Sequence, residues 1–285
     1  MKHTHLFSRI TAFMMAMVLL LSFAACGDNS TSPDASSQAS SSGSQIPAFI
    51  NPLPDVDLNA IAKPELPSAE ILEKLNTAYN QNNDVVGWLR LPNTEIDNEV
   101  LQGADNNVYL RSDITKGYNW YGCYYADYEC LFGDRNSISK DIIIYGHSMN
   151  DDPNSTKFSQ LKKYADPEFA KNNPYLYFST PEDNLVYKVF SVMYTDTNLA
   201  YIHPNLKGNE FMKLVSELKD RSQFDFDVDV NSSDKLLTLS TCTYIYGNRE
   251  DQRFVVVGRL LRPGEEIEPT VKLEKNADVK PPQFK

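Results

Sequence analysis

Seven short runs of β-branched and aromatic residues fill the middle of the chain, and they restrict its fold more than any other feature. "VVGWLRL", "EIDNEVLQ", "WYGCYYADY", "DIIIYGH", "LVYKVFSVMYT", "KLLTLSTC" and "RFVVVGRLL" follow one another with turn residues between them. Such side chains pack well on a pleated, half-buried surface, so each run reads as a strand. Helical text is confined to "SAEILEKLNTAYNQN", a short piece around "KFSQLKKYA", and "NEFMKLVSELKDR". Short strands at this spacing predict a mainly β fold, a barrel or a sandwich, with the helices packed outside.

The flanks set the limits of that unit. Order is expected from Ser68, a helix N-cap with Glu70 in the first turn and Ile71, Leu72, Leu75 and Tyr79 on one stripe. The folded domain is read as residues 66–263. The stretch from 264 to 285, charged and proline-containing, is read as a solvated tail. Residues 26–65 are rich in Ser and Pro and poor in large apolar groups. They cannot bury enough surface to offset the entropy of ordering, and are expected to be a flexible tether.

Residues 1–25 read as a targeting signal, with Lys2 and Arg9 ahead of about sixteen mostly apolar residues. The segment ends Phe23-Ala24-Ala25-Cys26, which resembles a bacterial lipobox and implies lipidation of Cys26. An uncleaved signal anchor or an ordinary secretory signal is the alternative. Either way the rest of the chain is expected outside the cytoplasm, held at the membrane by the lipid or the N-terminal anchor. The net charge is −11 and no basic block occurs, which argues against a nucleic-acid partner. With four histidines and no CxxC, neither a metal site nor a cofactor is indicated.

Chemistry is concentrated where "LTLSTC" runs into the polar loop "TYIYGNREDQ". A lone cysteine is most often a small buried hydrophobe, but Cys242 stands at the end of a strand. A catalytic thiol needs a cation or a base nearby. Arg253 lies eleven residues on and opens the next strand, so a hairpin brings it to the same mouth as Cys242; Arg249, in mid-loop, is the rival cation. His147 leaves the apolar run "DIIIYGH" at a strand exit, and His203 in "AYIHPNL" is the other candidate base. Ser240 and Thr241 either touch substrate or pack the strand end. Cys123 and Cys130 are expected as two free thiols, with a disulfide as the alternative.

"TLSTC" followed by "RFVVVGRL", with "IIIYGHSM" upstream, resembles the signature of the sortases of Gram-positive bacteria. "VGWLRLPNTEIDNEVLQGADNNVYL", "GCYYADY" and the stretch from "KFSQLKKYA" to "VFSVMYTD" are similar to class B members in the same order. Asn98-Glu99 departs from the Tyr-Pro common there, and a lipidated Cys26 departs from the usual uncleaved anchor. The resemblance implies a closed eight-stranded β-barrel with an N-terminal helix and short peripheral helices. It also implies a cysteine transpeptidase that cleaves a C-terminal sorting signal (Asn-Pro-x-Thr-like) of secreted proteins after Thr. The acyl group is held as a thioester and passed to an amine of a peptidoglycan precursor or cross-bridge. By motif, Cys242 is then the nucleophile, His147 the general acid and base, and Arg253 the donor to substrate and oxyanion. A thiol protease that releases its acyl group to water, or a non-catalytic lipoprotein binding the cell wall, are the alternatives.

Overall fold

In the computed structural model, residues 62–285 are described; the signal-like segment 1–25, Cys26 and the tether as far as residue 61 lie outside the described residues. Eight strands close into a barrel. β1 (Val85–Arg90) pairs antiparallel with β2 (Asp97–Leu101), which runs parallel to β3 (Tyr124–Ala126). β3 is antiparallel to β4 (Asp141–Tyr145). β5 (Tyr175–Ser179) and β6 (Asn184–Asp196) form a hairpin, and β5 closes the ring on β1. A short ribbon strand, β7 (Phe224–Phe226), precedes β8 (Leu236–Cys242) and β9 (Gln252–Leu260). β8 lies parallel to β4 and antiparallel to β9, and β9 returns along β6.

The seven strand runs of the sequence are seven of these eight. The eighth, "YLYFS", is not among those runs; the turn Thr180–Asp183, where Thr180 N–H bonds Asp183 O, separates it from β6. Interior positions such as Ile142, Ile144, Leu237, Leu239, Phe254 and Val256 are fully buried. The central strands are buried on both faces because helices cover them, which is why they read as nearly continuous apolar runs. Helix α1 (Ala69–Gln81) starts where Ser68 Oγ accepts from Ile71 N at 3.3 Å, and it buries Leu75 and Ala78 in a second cluster with Val85, Leu101 and Tyr109. Tyr79, expected on its buried stripe, is exposed.

A 3₁₀ helix (Lys157–Ala165) leads into α2 (Pro167–Asn172), which is capped by Asp166. Helix α3 (Gly208–Arg221) buries Phe211, Leu214, Val215 and Leu218, at helical spacing, against the barrel. Each such side chain contributes about 1.5–3 kcal/mol on burial. The expectation of a solvated tail after residue 263 is corrected. β10 (Leu273–Lys275) pairs with β7, and Val271 is buried. Gln283 N–H donates to Asp196 Oδ2 at 2.7 Å, and Phe284 packs on Tyr246 with ring centroids 5.1 Å apart. Sparse apolar residues hid this docking, because backbone hydrogen bonds rather than a hydrophobic stripe hold the segment.

Candidate active site

Strand register assembles the site. Cys242 and Arg253 are direct partners across the β8–β9 pair, as the hairpin expectation required. On the other side of β8, Tyr145 of β4 is the parallel partner of Ser240. His147 and Cys242 each lie two residues further along their strands. With a side-chain period of two they leave the same end of the barrel on matching faces. Both residues and Arg253 line one cleft of about 430 Å³, together with Tyr201, His203, Ser240 and Thr241. Both candidate imidazoles therefore reach the cleft, His147 half-buried and His203 exposed.

His147 is held from several sides. Its Nε2 lies 2.7 Å from Leu110 O, an atom that only accepts, so Nε2 carries the hydrogen and Nδ1 is the basic nitrogen. Its carbonyl accepts from Phe158 N at 2.9 Å. Burial lowers the imidazole pKa from the ordinary value; the Leu110 hydrogen bond opposes this, and the nearby charges of Arg111 and Lys157 add to it. Burial thus favours the neutral ring. Gly146 is fixed by crowding: a Cβ there would come within 2.8 Å of the Phe158 and Tyr124 rings. Any side chain at that position would push the following histidine out of place.

Arg253 Nη1 donates to Glu250 O at 2.6 Å and Gln252 O at 2.9 Å, which orients the guanidinium and leaves Nη2 and Nε without a protein acceptor among the described residues. Arg249 is committed elsewhere, paired with Asp251 at 2.9 and 2.8 Å and stacked over Phe284. It does not line the cleft. Ser240 shares a 2.8 Å hydrogen bond with Tyr201 OH, and Thr241 Oγ1 donates to Gly146 O at 2.7 Å, so both hydroxyls are engaged in packing the strand ends. Cys123 and Cys130 are free and buried away from this chemistry, and burial pushes their thiols up to about 11 and about 12.

Sequence reasoning passed over Lys162 and Asp151. Lys162 is buried in the 3₁₀ helix, where its ammonium donates to Cys242 O at 3.1 Å and pairs with Asp151 at 3.0 Å. Asp151 in turn accepts from Thr243 Oγ1 at 2.9 Å and Tyr244 N at 2.8 Å, joining the loops after His147 and Cys242. The available signal was a period of three in "KFSQLKKYA". In a 3₁₀ helix Phe158, Leu161 and Tyr164 share one face and Ser159 and Lys162 another.

A barrel that holds a thiol opposite a guanidinium, beside an imidazole just past the end of the next strand, has the parts of a cysteine acyl-transfer enzyme. The Sortase domain family matches residues 89–261. Sortase B of Listeria monocytogenes is 30% identical over 195 residues, spanning 68% of this chain and 76% of that protein. The Staphylococcus aureus sortase B–substrate complex superposes with a TM-score of 0.60 at 27% identity, covering 68% of this chain and 87% of that one. Sortase B of Clostridium perfringens gives 0.58 at 29% identity, covering 66% and 99%. The chain belongs to the sortase family, and with sortase B relatives it is a class B-like cysteine transpeptidase.

Proposed function

We propose that this transpeptidase cleaves a C-terminal sorting signal of the Asn-Pro-x-Thr type after Thr and joins the protein to an amine of the cell wall. The observation that carries the assignment of its residues is the register that sets Cys242 against Arg253 while His147 leaves the neighbouring parallel strand. Cys242 Sγ gives up its proton to His147 and attacks the Thr carbonyl carbon. The oxyanion that forms takes hydrogen bonds from the unengaged nitrogens of Arg253, whose charge is permanent. The C–N bond then breaks, and the leaving nitrogen takes the proton from His147. The acyl group remains as a thioester on Cys242. An incoming amine loses a proton to His147 and attacks the thioester, and the thiolate departs. No oxidant, metal or cofactor enters this balance.

A substrate complex is among the solved relatives, which supports a peptide reaching the same cleft from outside. The acceptor is an amine of a peptidoglycan precursor or cross-bridge, and secreted proteins bearing the signal are the donors. The lipobox-like end at Cys26 supports lipidation there and a station on the outer face of the cell membrane. Incubation with a library of sorting-signal peptides and candidate amines, read by mass spectrometry, tests the proposal. Amide product that requires both the signal and the amine is expected. Cleavage that is indifferent to every amine would make the enzyme a hydrolase, and full turnover by Cys242→Ala would remove the nucleophile assignment.

A further inference from the structure

A buried lysine is expensive unless its charge is paired and its donors are used. The Lys162 side chain is only 4% exposed, and all its donors have acceptors. The ammonium donates to Ser148 Oγ, to Asn150 O at 2.9 Å and to Cys242 O at 3.1 Å, and it meets Asp151 Oδ1 at 3.0 Å. Three of these partners belong to the loop that follows His147, and the fourth is the carbonyl of the thiol-bearing residue itself.

The same short helix holds the histidine as well. Phe158, four residues before Lys162, donates its N–H to His147 O. One segment of nine residues therefore grips the backbone of both His147 and Cys242. The two residues come from strands joined by a crossover of some ninety residues, and nothing local in the sequence fixes the distance between them. β4 and β8 pair as far as Tyr145 and Ser240, so each residue stands just beyond the last paired position of the ladder.

We propose that Lys162 is a positioning residue of the transpeptidation, tying the Cys242 carbonyl to the loop after His147 so that thiol and imidazole keep one separation. This rests on Cys242 and His147 as the reacting pair. Lys162 touches no substrate in this scheme. It acts through the two backbones that it joins, so its loss affects the chemical step and not the binding of the signal.

The test uses the full chain, a sorting-signal peptide and an amine acceptor, with Lys162→Met and the double variant Lys162→Met/Asp151→Asn. Methionine keeps the apolar stem and loses the ammonium, and the double variant also removes the carboxylate left without its partner. Expected for both is a fall in kcat of about 10²-fold, the scale of a misplacement near 1 Å, with KM within about twofold of wild type. Thioester formation in a single turnover should slow by the same factor. If the double variant regains wild-type kcat, the unpaired Asp151 was the cause and the positioning role fails. If kcat and KM change together with a collapse of the melting transition in both variants, Lys162 is a structural residue only and the proposal is overturned. Cys242→Ala is run beside them. Activity in that variant sinks the reacting pair and this inference with it, whereas an inactive Cys242→Ala beside a fully active Lys162→Met sinks this inference alone.

Discussion

Replacing Arg253 by Lys keeps the charge at the cleft and removes the fork. The guanidinium spends Nη1 on two backbone carbonyls, at 2.6 and 2.9 Å, and this fixes the direction of its remaining donors. An ammonium that makes the same two contacts has one hydrogen left and no rigid plane to aim it, so at least one oxyanion donor is lost. Removal of one such donor costs about 10²–10³ in kcat, or about 2.7–4 kcal/mol. The assay is steady-state turnover of a sorting-signal peptide with an amine in excess, with peptide binding measured separately on Cys242→Ala. Arg249→Ala serves as the control. Its pairing with Asp251 is a half-exposed surface contact, so its loss should change kcat by no more than about threefold. Near-normal turnover by Arg253→Lys together with an inactive Arg249→Ala would show that the wrong arginine has been chosen.

The pH dependence of kcat/KM should be bell-shaped. Because burial lowers the His147 pKa, its acid limb should inflect below the ordinary histidine value, as a property of the coupled Cys–His pair. His147→Ala should abolish the rate, and His203→Ala should keep both limbs; a His203 variant that alone loses the acid limb refutes the assignment. Asp141, wholly buried with one oxygen unpartnered, has its pKa raised well above the usual carboxylate range by burial. The folded state therefore holds a proton that the unfolded chain has released, and stability falls as pH rises from the ordinary aspartate value toward the folded one. The slope reaches about 1.4 kcal/mol per pH unit while only the unfolded carboxyl is ionised. Denaturation followed against pH should show that slope in the difference between the wild type and Asp141→Asn, since other carboxylates add slopes of their own, and parallel profiles would refute it. Ending the chain after residue 280 removes the Gln283 bond to Asp196 and the Phe284 packing on Tyr246. It should lower stability by about 1–2 kcal/mol in urea titration; an unchanged midpoint would mean that the docked segment contributes nothing.

Strands buried on both faces were the legible part of this fold. "DIIIY", "LLTLSTC" and "QRFVVVGRL" announce themselves because both sides of each run are buried and successive residues are largely apolar or β-branched. β5 is missing from the runs read in the sequence, since Tyr175–Ser179 is only five residues long and follows directly on helical text and Asn172-Asn173-Pro174. The last twenty residues were misjudged for a different reason. Val271 is the single fully apolar residue buried there, and no hydrophobic period marks a strand as short as Leu273–Lys275. Composition detects segments that dock by burying apolar surface, and it misses those that dock by completing a ribbon.

The site divides along the same line. Cys242 and Arg253 are joined by a hairpin, so their meeting follows from the chain between them, and counting along two strands was enough to foresee it. His147 is another matter. Its neighbourhood with Cys242 depends on β4 and β8 being parallel, and parallel strands are joined through distant crossovers whose partner choice no local pattern records. The family resemblance supplied that link where spacing alone left two histidines open. Lys162 lay beyond both kinds of reasoning: it looks like one more lysine on an amphipathic turn, and only the closed barrel shows its ammonium beneath the thiol-bearing residue. A parallel pair needs such a fastening more than a hairpin does, because the hairpin loop already ties Cys242 to Arg253 while nothing covalent nearby ties Cys242 to His147. The buried charge sits at the junction that chain connectivity leaves loose.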